Sequence, residues 1–395
     1  MRDDVHSLTT TPPAASPQTL VAAMHRILAR LDPKIEAAFL RIPRHYFLPE
    51  QTLERVYSDQ AVATKLHDGI VISSSSQPSM MAMMLGQLDL HEGDNVMEIG
   101  AGTGYNAAIM MALVGDTGYV TSVEIDPQVA DDATTHLQHA AMRAVTLVVG
   151  DGANGYAPRA AYDRIIATAA CWDVPRTWVR QLRPNGKLVA PIWIEGFQMS
   201  AALSPQRDGT LYSQDNIVCS FVWMQEQQKR QITYRIPGGL FLDCNSHIDG
   251  VALAQLLGDD AEDGYLAGVP STASLWLGFL PYLILHPPPQ LQIANYISLN
   301  NVYGIDGTGF ALLLPGSACF VQLGAHPKVR YFGGADAYLA LQDELSAWDN
   351  AGRPDQRNVR IRFIPLDSQA QTAEDLPGRV FERTDHLLQV WMDMD

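Results

Sequence analysis

A chain of 395 residues with 47% hydrophobic and 18% charged side chains is long enough for two domains, each burying a core of its own. A formal net charge of -16 without any basic run excludes a binder of phosphate backbones, which needs clustered Lys and Arg, so no nucleic-acid partner is expected. Cys171, Cys219, Cys244 and Cys319 carry neither CxxC nor His-paired spacing. No metal site or disulfide framework is therefore encoded, and reduced thiols in a cytoplasmic protein are the simplest expectation.

Residues 1–19 are rich in Pro, Thr and Ser and place Asp3 and Asp4 where a signal peptide would be positive, so they read as a disordered lead-in. Apolar residues at helical spacing over Leu20 to Leu31, and again over Pro33 to Leu40, predict a short helical prelude. Tyr57 to Pro78 is poor in periodicity and ends in Ser73, Ser74, Ser75 and Ser76, which predicts an ordered loop crossing a site. From Met80 onward helices and strands alternate: helix 80–88, strand 95–99, helix 105–114, strand 119–124. Asp126 reads as an N-cap with Pro127 in the first turn of a helix to about Ala140. Strands at 144–149, 163–167 and 187–192, with a helix at 175–182, complete a doubly wound α/β sheet. The polar stretch Gln225 to Ile236, closed by Pro237-Gly238-Gly239, sets a boundary between a domain 20–236 and a domain 237–395.

In the C-terminal half, helix-like segments (248–257, 335–348) mix with strand-like ones (310–314, 359–365, 387–392), which predicts an α+β domain. Leu275 to Leu285 is broken by Gly278 and Pro281 and falls short of the about 20 residues a bilayer crossing takes, so a buried element and no membrane partner are expected. His247, His286 and His326 have no metal-like spacing. Trp276, Phe279, Tyr282 and Trp391 could form a peptide-binding surface, although such residues among aliphatics more often belong to a core.

Chemistry concentrates at Val96 to Gly104, where Gly100, Gly102 and Gly104 stand directly between a strand and a helix. Backbone must approach a ligand closely there, and side chains would obstruct it. Glu124 ends the next strand, where a carboxylate can accept hydrogen bonds from both hydroxyls of a ribose. Gly102-Thr103-Gly104-Tyr105-Asn106-Ala107 also satisfies the dinucleotide pattern G-x-G-x-x-A, so the turn by itself does not choose a cofactor. Glu98 two residues before the first glycine, Asp151-Gly152 as an adenine-edge candidate, and the lack of a dehydrogenase constellation favour S-adenosylmethionine.

Six segments in order carry a family resemblance: Ile42-Pro43-Arg44-His45-Tyr46-Phe47, Tyr57-Ser58-Asp59-Gln60-Ala61, Ser76-Gln77-Pro78, Glu98 to Tyr105, Gly150-Asp151-Gly152, and Thr168-Ala169-Ala170 with Pro175. Over about Ala22 to Gly196 the chain resembles the protein-L-isoaspartate O-methyltransferases. The resemblance implies a class I methyltransferase Rossmann-like fold, S-adenosylmethionine as cofactor, and a peptide or protein substrate. It implies an active-site role for Ser76 and Asp59, and cofactor contacts for Ser73, Ser74, Ser75, Ser76, Gly100, Gly102, Glu124, Ile125, Asp151 and Gly152. Ser76 could instead cap the helix that follows, and Asp59 could be a turn residue. The sparse inventory suits carboxyl methylation. A carboxylate of unperturbed pKa about 3.9 is already an anion and needs no general base. The protein has only to align the reactants and exclude water.

Two features depart from the repair enzymes. Asp68 to Pro78 replaces the family's G-x-G-Q-T-I-S-Q-P loop, and a second domain is appended. Both are similar to the homologues that modify ribosomally synthesised lanthipeptides and lasso peptides. That similarity implies methylation of an Asp side chain in a constrained precursor and closure of the ester to an aspartimide. The alternatives are repair of isoaspartyl damage, or a cofactor-binding pseudoenzyme or docking subunit. The C-terminal half is expected to recognise or shield the substrate.

Overall fold

The computed structural model describes residues 14–67, 70–225, 232–244, 247–268, 270–367 and 376–394; residues 1–13 of the expected lead-in lie outside this set. The chain forms two compact units, Met1–Ile166 and Ala167–Asp395.

In the first unit, α1 (Pro17–His25) begins inside the expected lead-in. Ser16 accepts from the backbone N–H of Thr19, whose hydroxyl in turn accepts from the Ser16 N–H, a reciprocal cap that fixes the helix start. Next come α2 (Pro33–Arg41), capped by Asp32, and the short α3 (Leu53–Val56). The segment expected as a loop is instead an antiparallel hairpin of β1 (Val62–His67) and β2 (Ile70–Ser75), which pairs with no other strand among the described residues. Its periodicity is invisible in the sequence because Leu66, Ile70 and Val71 are exposed at the tip and Ser73 to Ser75 fill the base.

Beyond it α4 (Pro78–Leu88), β3 (Asn95–Ile99), α5 (Tyr105–Val114), β4 (Tyr119–Glu124), α6 (Pro127–His139), β5 (Thr146–Val149) and β6 (Tyr162–Ala167) alternate as expected. They form a sheet of order β6-β3-β4-β5 in which β3, β4 and β5 run parallel. The helix α5 is apolar all round and accordingly buried, from Tyr105 through Val114. Strand β3 has Val96, Met97, Glu98 and Ile99 all buried, so the glycine turn issues from the middle of a packed layer. Pro127 and the Asp126 carboxylate, accepting from the N–H groups of Gln128 and Val129, start α6 where the sequence indicated.

The second unit opens with α7 (Arg176–Gln181). An antiparallel sheet of β7 (Leu182–Ile194), β8 (Phe197–Pro205), β9 (Leu211–Ser213) and β10 (Asn216–Cys219) follows. A second sheet contains β11 (Ile232–Ile236), β12 (Leu240–Cys244), β13 (Ala261–Gly264), β14 (Gln292–Ser298), β15 (Gly307–Leu314), β16 (Ser317–Gln322) and β17 (Lys328–Gly333), in the order β11-β12-β14-β15-β16-β17-β13. Helices α8 (Gly250–Leu256), α9 (Thr272–Ser274), α10 (Leu280–Leu285) and α11 (Asp336–Asn350) accompany it. Finally β18 (Val359–Pro365), β19 (Arg379–Glu382) and β20 (His386–Met392) return to the first of these two sheets, β18 pairing with β9.

Pro237-Gly238-Gly239, expected as an interdomain boundary, is thus the turn of the β11/β12 hairpin, with Ile236 opposite Leu240. Turn residues look alike whether they join two strands or two domains. The apolar run 275–285 is helical and mostly buried; within it Phe279 and Tyr282 belong to the core, while Trp276 and Trp391 are half-buried. All four cysteines are buried, and none of them is in a disulfide. Among the described residues no helix is long and apolar enough to cross a membrane, and no group of three His, Cys, Asp or Glu could hold a metal ion.

Candidate active site

The glycine turn is held from both sides. Gly102 takes φ +51°, and a Cβ built there would stand 3.3 Å from the Ser74 carbonyl oxygen, so strand β2 lies directly on the turn. Glu124, nearly buried at the end of β4, accepts from the Gly102 N–H through Oε2 (3.1 Å) and from the Asp126 N–H through Oε1 (3.1 Å). A carboxylate offers about four acceptor positions, so two remain for the hydroxyls of a ribose. The Glu124 carbonyl accepts from the Gly150 N–H (2.8 Å), which draws Gly150-Asp151-Gly152 to the same edge.

At Gly152 an added Cβ would come within 2.4 Å of Ile99 Cγ2, leaving no room for any other residue. Asp151 caps this turn through the Ala153 N–H (2.9 Å), accepts a long contact from the Asn154 side chain (3.5 Å) and is otherwise exposed, with acceptor positions left for an adenine amino group. Gly152→Ala is expected to cost about 1–3 kcal/mol of stability through overpacking, read as a shifted urea midpoint. Gly104 starts α5 and faces Leu137 and Ala133 of α6, which makes it a packing residue of the turn. These glycines and the open acceptors of Glu124 and Asp151 fit an adenosyl group.

Glu98 is fully buried beneath the turn, accepting from the Ser122 hydroxyl (2.5 Å) and the Asn106 amide (2.8 Å). Burial pushes its carboxyl up to about 7, against the two hydrogen bonds, with a further rise from nearby Glu124.

The serine strip is braced by a residue quoted in the sequence only as part of a motif. Arg44 is fully buried, and its Nη1 donates to the carbonyls of Val56 (3.1 Å) and Ser58 (3.2 Å). Its Nη2 donates to the carbonyls of Gln60 (3.2 Å) and Ser76 (2.9 Å) and to Ser75 Oγ (3.2 Å). Burial lowers its pKa to about 10, partly offset by Tyr105 and Asp59, so it stays a cation at neutral pH. The available signal was a lone charge between Ile42 and Phe47, both buried. Asp59 completes the brace: Oδ1 accepts from the Ser79 N–H (2.8 Å) and Oδ2 from the Gln77 side chain (3.0 Å). Asp59 therefore caps the start of α4, the alternative the sequence offered for Ser76, and Ser76 is left within the strip.

Ser73 accepts from the Thr64 hydroxyl (3.2 Å) across the hairpin, and Ser75 is buried against Arg44. Lys65 of β1 reaches Asp126 (2.5 Å), just beyond Glu124 and Ile125, and this hydrogen bond is the main cause of the lowered Asp126 pKa. The first unit thus brings together Ser73 to Ser76, Gly100, Gly102, Glu124, Ile125, Asp151 and Gly152, with Asp59 behind them. A cavity of about 380 Å³ lies beside Gly102 and Thr103, lined also by Phe47, Lys65, Gln128 and His136.

The remaining motif, Thr168-Ala169-Ala170, belongs to the second unit. Just after it Asp173 accepts from the Asp385 N–H (2.6 Å) and contacts His386 Nδ1 (2.9 Å), both side chains being buried. The returning C-terminal strand anchors this loop, a link that 213 residues of sequence separation conceal.

Comparison with known proteins agrees with this geometry. The family model for protein-L-isoaspartate(D-aspartate) O-methyltransferase matches residues 16–229. The protein-L-isoaspartate O-methyltransferase of Methanopyrus kandleri is 38% identical over 190 residues, 48% of this chain and 82% of that protein. Its counterpart in Methanothrix thermoacetophila is 41% identical over 159 residues, 40% of this chain and 73% of that protein. A solved protein-L-isoaspartate O-methyltransferase shares the fold with a TM-score of 0.50 at 24% identity, covering 88% of this chain and 96% of its own. That coverage is more than residues 1–236 can supply, so the shared fold extends into the C-terminal half. The chain belongs to the protein-L-isoaspartate(D-aspartate) O-methyltransferase family and is an S-adenosylmethionine-dependent methyltransferase.

Proposed function

We propose that this protein methylates the free carboxylate of L-isoaspartyl residues in peptides and proteins, the first step of their repair. The observation that carries the reading is the strand of serines laid on the glycine turn, Ser74 against Gly102, in a chain whose relatives are isoaspartate methyltransferases. When bound, S-adenosylmethionine supplies a methyl group already activated as a sulfonium. Glu124 and Asp151 would hold its ribose and adenine, while the Ser76 hydroxyl donates to the incoming carboxylate and orients it. Transfer of that methyl to the carboxylate oxygen would leave an ester and a thioether, so no residue of this chain has to move a proton. Orientation in a water-poor pocket is the protein's contribution.

A second reading, methylation of an Asp side chain in a constrained precursor followed by aspartimide closure, is favoured by one observation. The family's loop is here a hairpin whose exposed tip carries Leu66, Ile70 and Val71, a surface suited to an apolar peptide. The relatives favour repair over it. Matched peptides decide between them, one with isoaspartate, one with Asp, one a cyclised precursor. A mass gain of 14 on the isoaspartyl peptide alone is expected. Gain on the precursor alone, followed by loss of methanol, would replace the repair reading with the second. Cofactor binding without transfer to any of the three would leave only a docking role.

A further inference from the structure

We infer that Arg44 and Asp59 are positioning residues for methyl transfer, which together fix the backbone on which Ser76 stands. The inference rests on the proposed role of the serine strip.

Ser76 occupies the junction between β2 and α4, and residues on both sides of it are bound by the two charges. From one side the guanidinium binds the carbonyl of Ser76 and the hydroxyl of Ser75. From the other, the carboxylate binds the N–H of Ser79 and the amide of Gln77. The remaining guanidinium contacts, to the carbonyls of Val56, Ser58 and Gln60, tie the loop that carries Asp59 to the same cation. Neither charge lies in the adenosyl cradle, which is built from Gly100, Gly102, Glu124 and Gly150 to Gly152. The brace therefore acts on Ser75 and Ser76 and makes no contact with the glycine turn or with Glu124.

Chemistry makes the choice of residue specific. A carbonyl-rich loop junction is normally solvated, and burying it requires a donor that serves several acceptors at once. The planar guanidinium does so through Nη1 and Nη2, whose N–H groups are held in a fixed fork. A lysine has three donors on one nitrogen and cannot reach both sides. Losing the fork should let Ser76 drift while the glycine turn and Glu124 stay in place. A displacement of about 1 Å in such a group costs on the order of 100-fold in rate.

The test uses the full chain with Arg44→Lys and, should that variant not fold, Asp59→Asn. Three quantities are read: binding of S-adenosylhomocysteine by calorimetry, kcat and KM on an isoaspartyl peptide, and backbone hydrogen exchange. The expected result is a fall in kcat of about 10–100-fold, with nucleoside affinity within about threefold of wild type. Faster exchange should be confined to 56–60 and 73–79, and added ethylguanidinium should partly restore kcat to Arg44→Ala. Undiminished kcat in a folded variant, or affinity and kcat falling together, would overturn the inference. If the wild type itself leaves the isoaspartyl peptide untouched, the proposed function fails. The exchange pattern then decides the brace alone, unchanged exchange in 73–79 being the negative result.

Discussion

Glu124→Ala should lower affinity for S-adenosylmethionine by about 100-fold or more and reduce methyl transfer in parallel. The carboxylate fixes the turn through the N–H groups of Gly102 and Asp126, and in the proposed site its remaining lone pairs would accept from the ribose. A hydrogen bond to a charged group contributes about 1.5–3 kcal/mol. Losing two such bonds on the loop, together with the ribose contact, accounts for an effect of that size. Calorimetric titration with S-adenosylhomocysteine measures it. Glu124→Gln should fall between the two, because an amide can accept from Gly102 but presents N–H to the Asp126 N–H. Wild-type affinity in Glu124→Ala would place the adenosyl group elsewhere.

The second large effect concerns stability. Glu98 has a carboxyl pushed up to about 7 in the folded protein from an ordinary 4.5, because burial disfavours its anion. The native state then holds this proton more tightly than the unfolded chain does. Below about pH 4.5 the group is neutral in both states and imposes no penalty. As pH rises to about 7 the unfolded state ionises first, and stability falls by about 3 kcal/mol, at 1.36 kcal/mol per pKa unit. Glu98→Gln keeps both partners, since its oxygen can accept from Asn106 and its amide can donate to Ser122. The variant should match wild type near pH 4.5 and exceed it by about 3 kcal/mol at pH 8, measured by urea unfolding. Parallel pH profiles for the two proteins would show that Glu98 is not the titrating group.

What the sequence made legible was whatever depends on local pattern. Strand β3, the glycine turn and the capped start of α6 were readable because residues within a few positions determine them: a short, mostly apolar run, glycines between elements, Asp126 before Pro127. The residues proposed to hold the adenosyl group could be picked out for the same reason, each lying at a strand end. The β1/β2 hairpin was not, because its apolar residues face solvent and its serines carry no period. Pro237 to Gly239 misled because a hairpin turn and a linker share a composition. Arg44 lay in a quoted motif, yet nothing local reveals that one guanidinium gathers carbonyls from residues 56 to 76. The Asp173–His386 contact spans most of the second unit and has no sequence signature.

The central claim, methyl transfer onto a carboxylate oxygen, is tested most directly by the chemical lability of the product. Wild-type protein is incubated with methyl-labelled S-adenosylmethionine and an isoaspartyl peptide, and the isolated peptide is brought to mildly alkaline pH. An ester releases its label as volatile methanol, and that is the result expected here. Label that stays on the peptide through this treatment would mean transfer to nitrogen or another stable position, and would contradict the account.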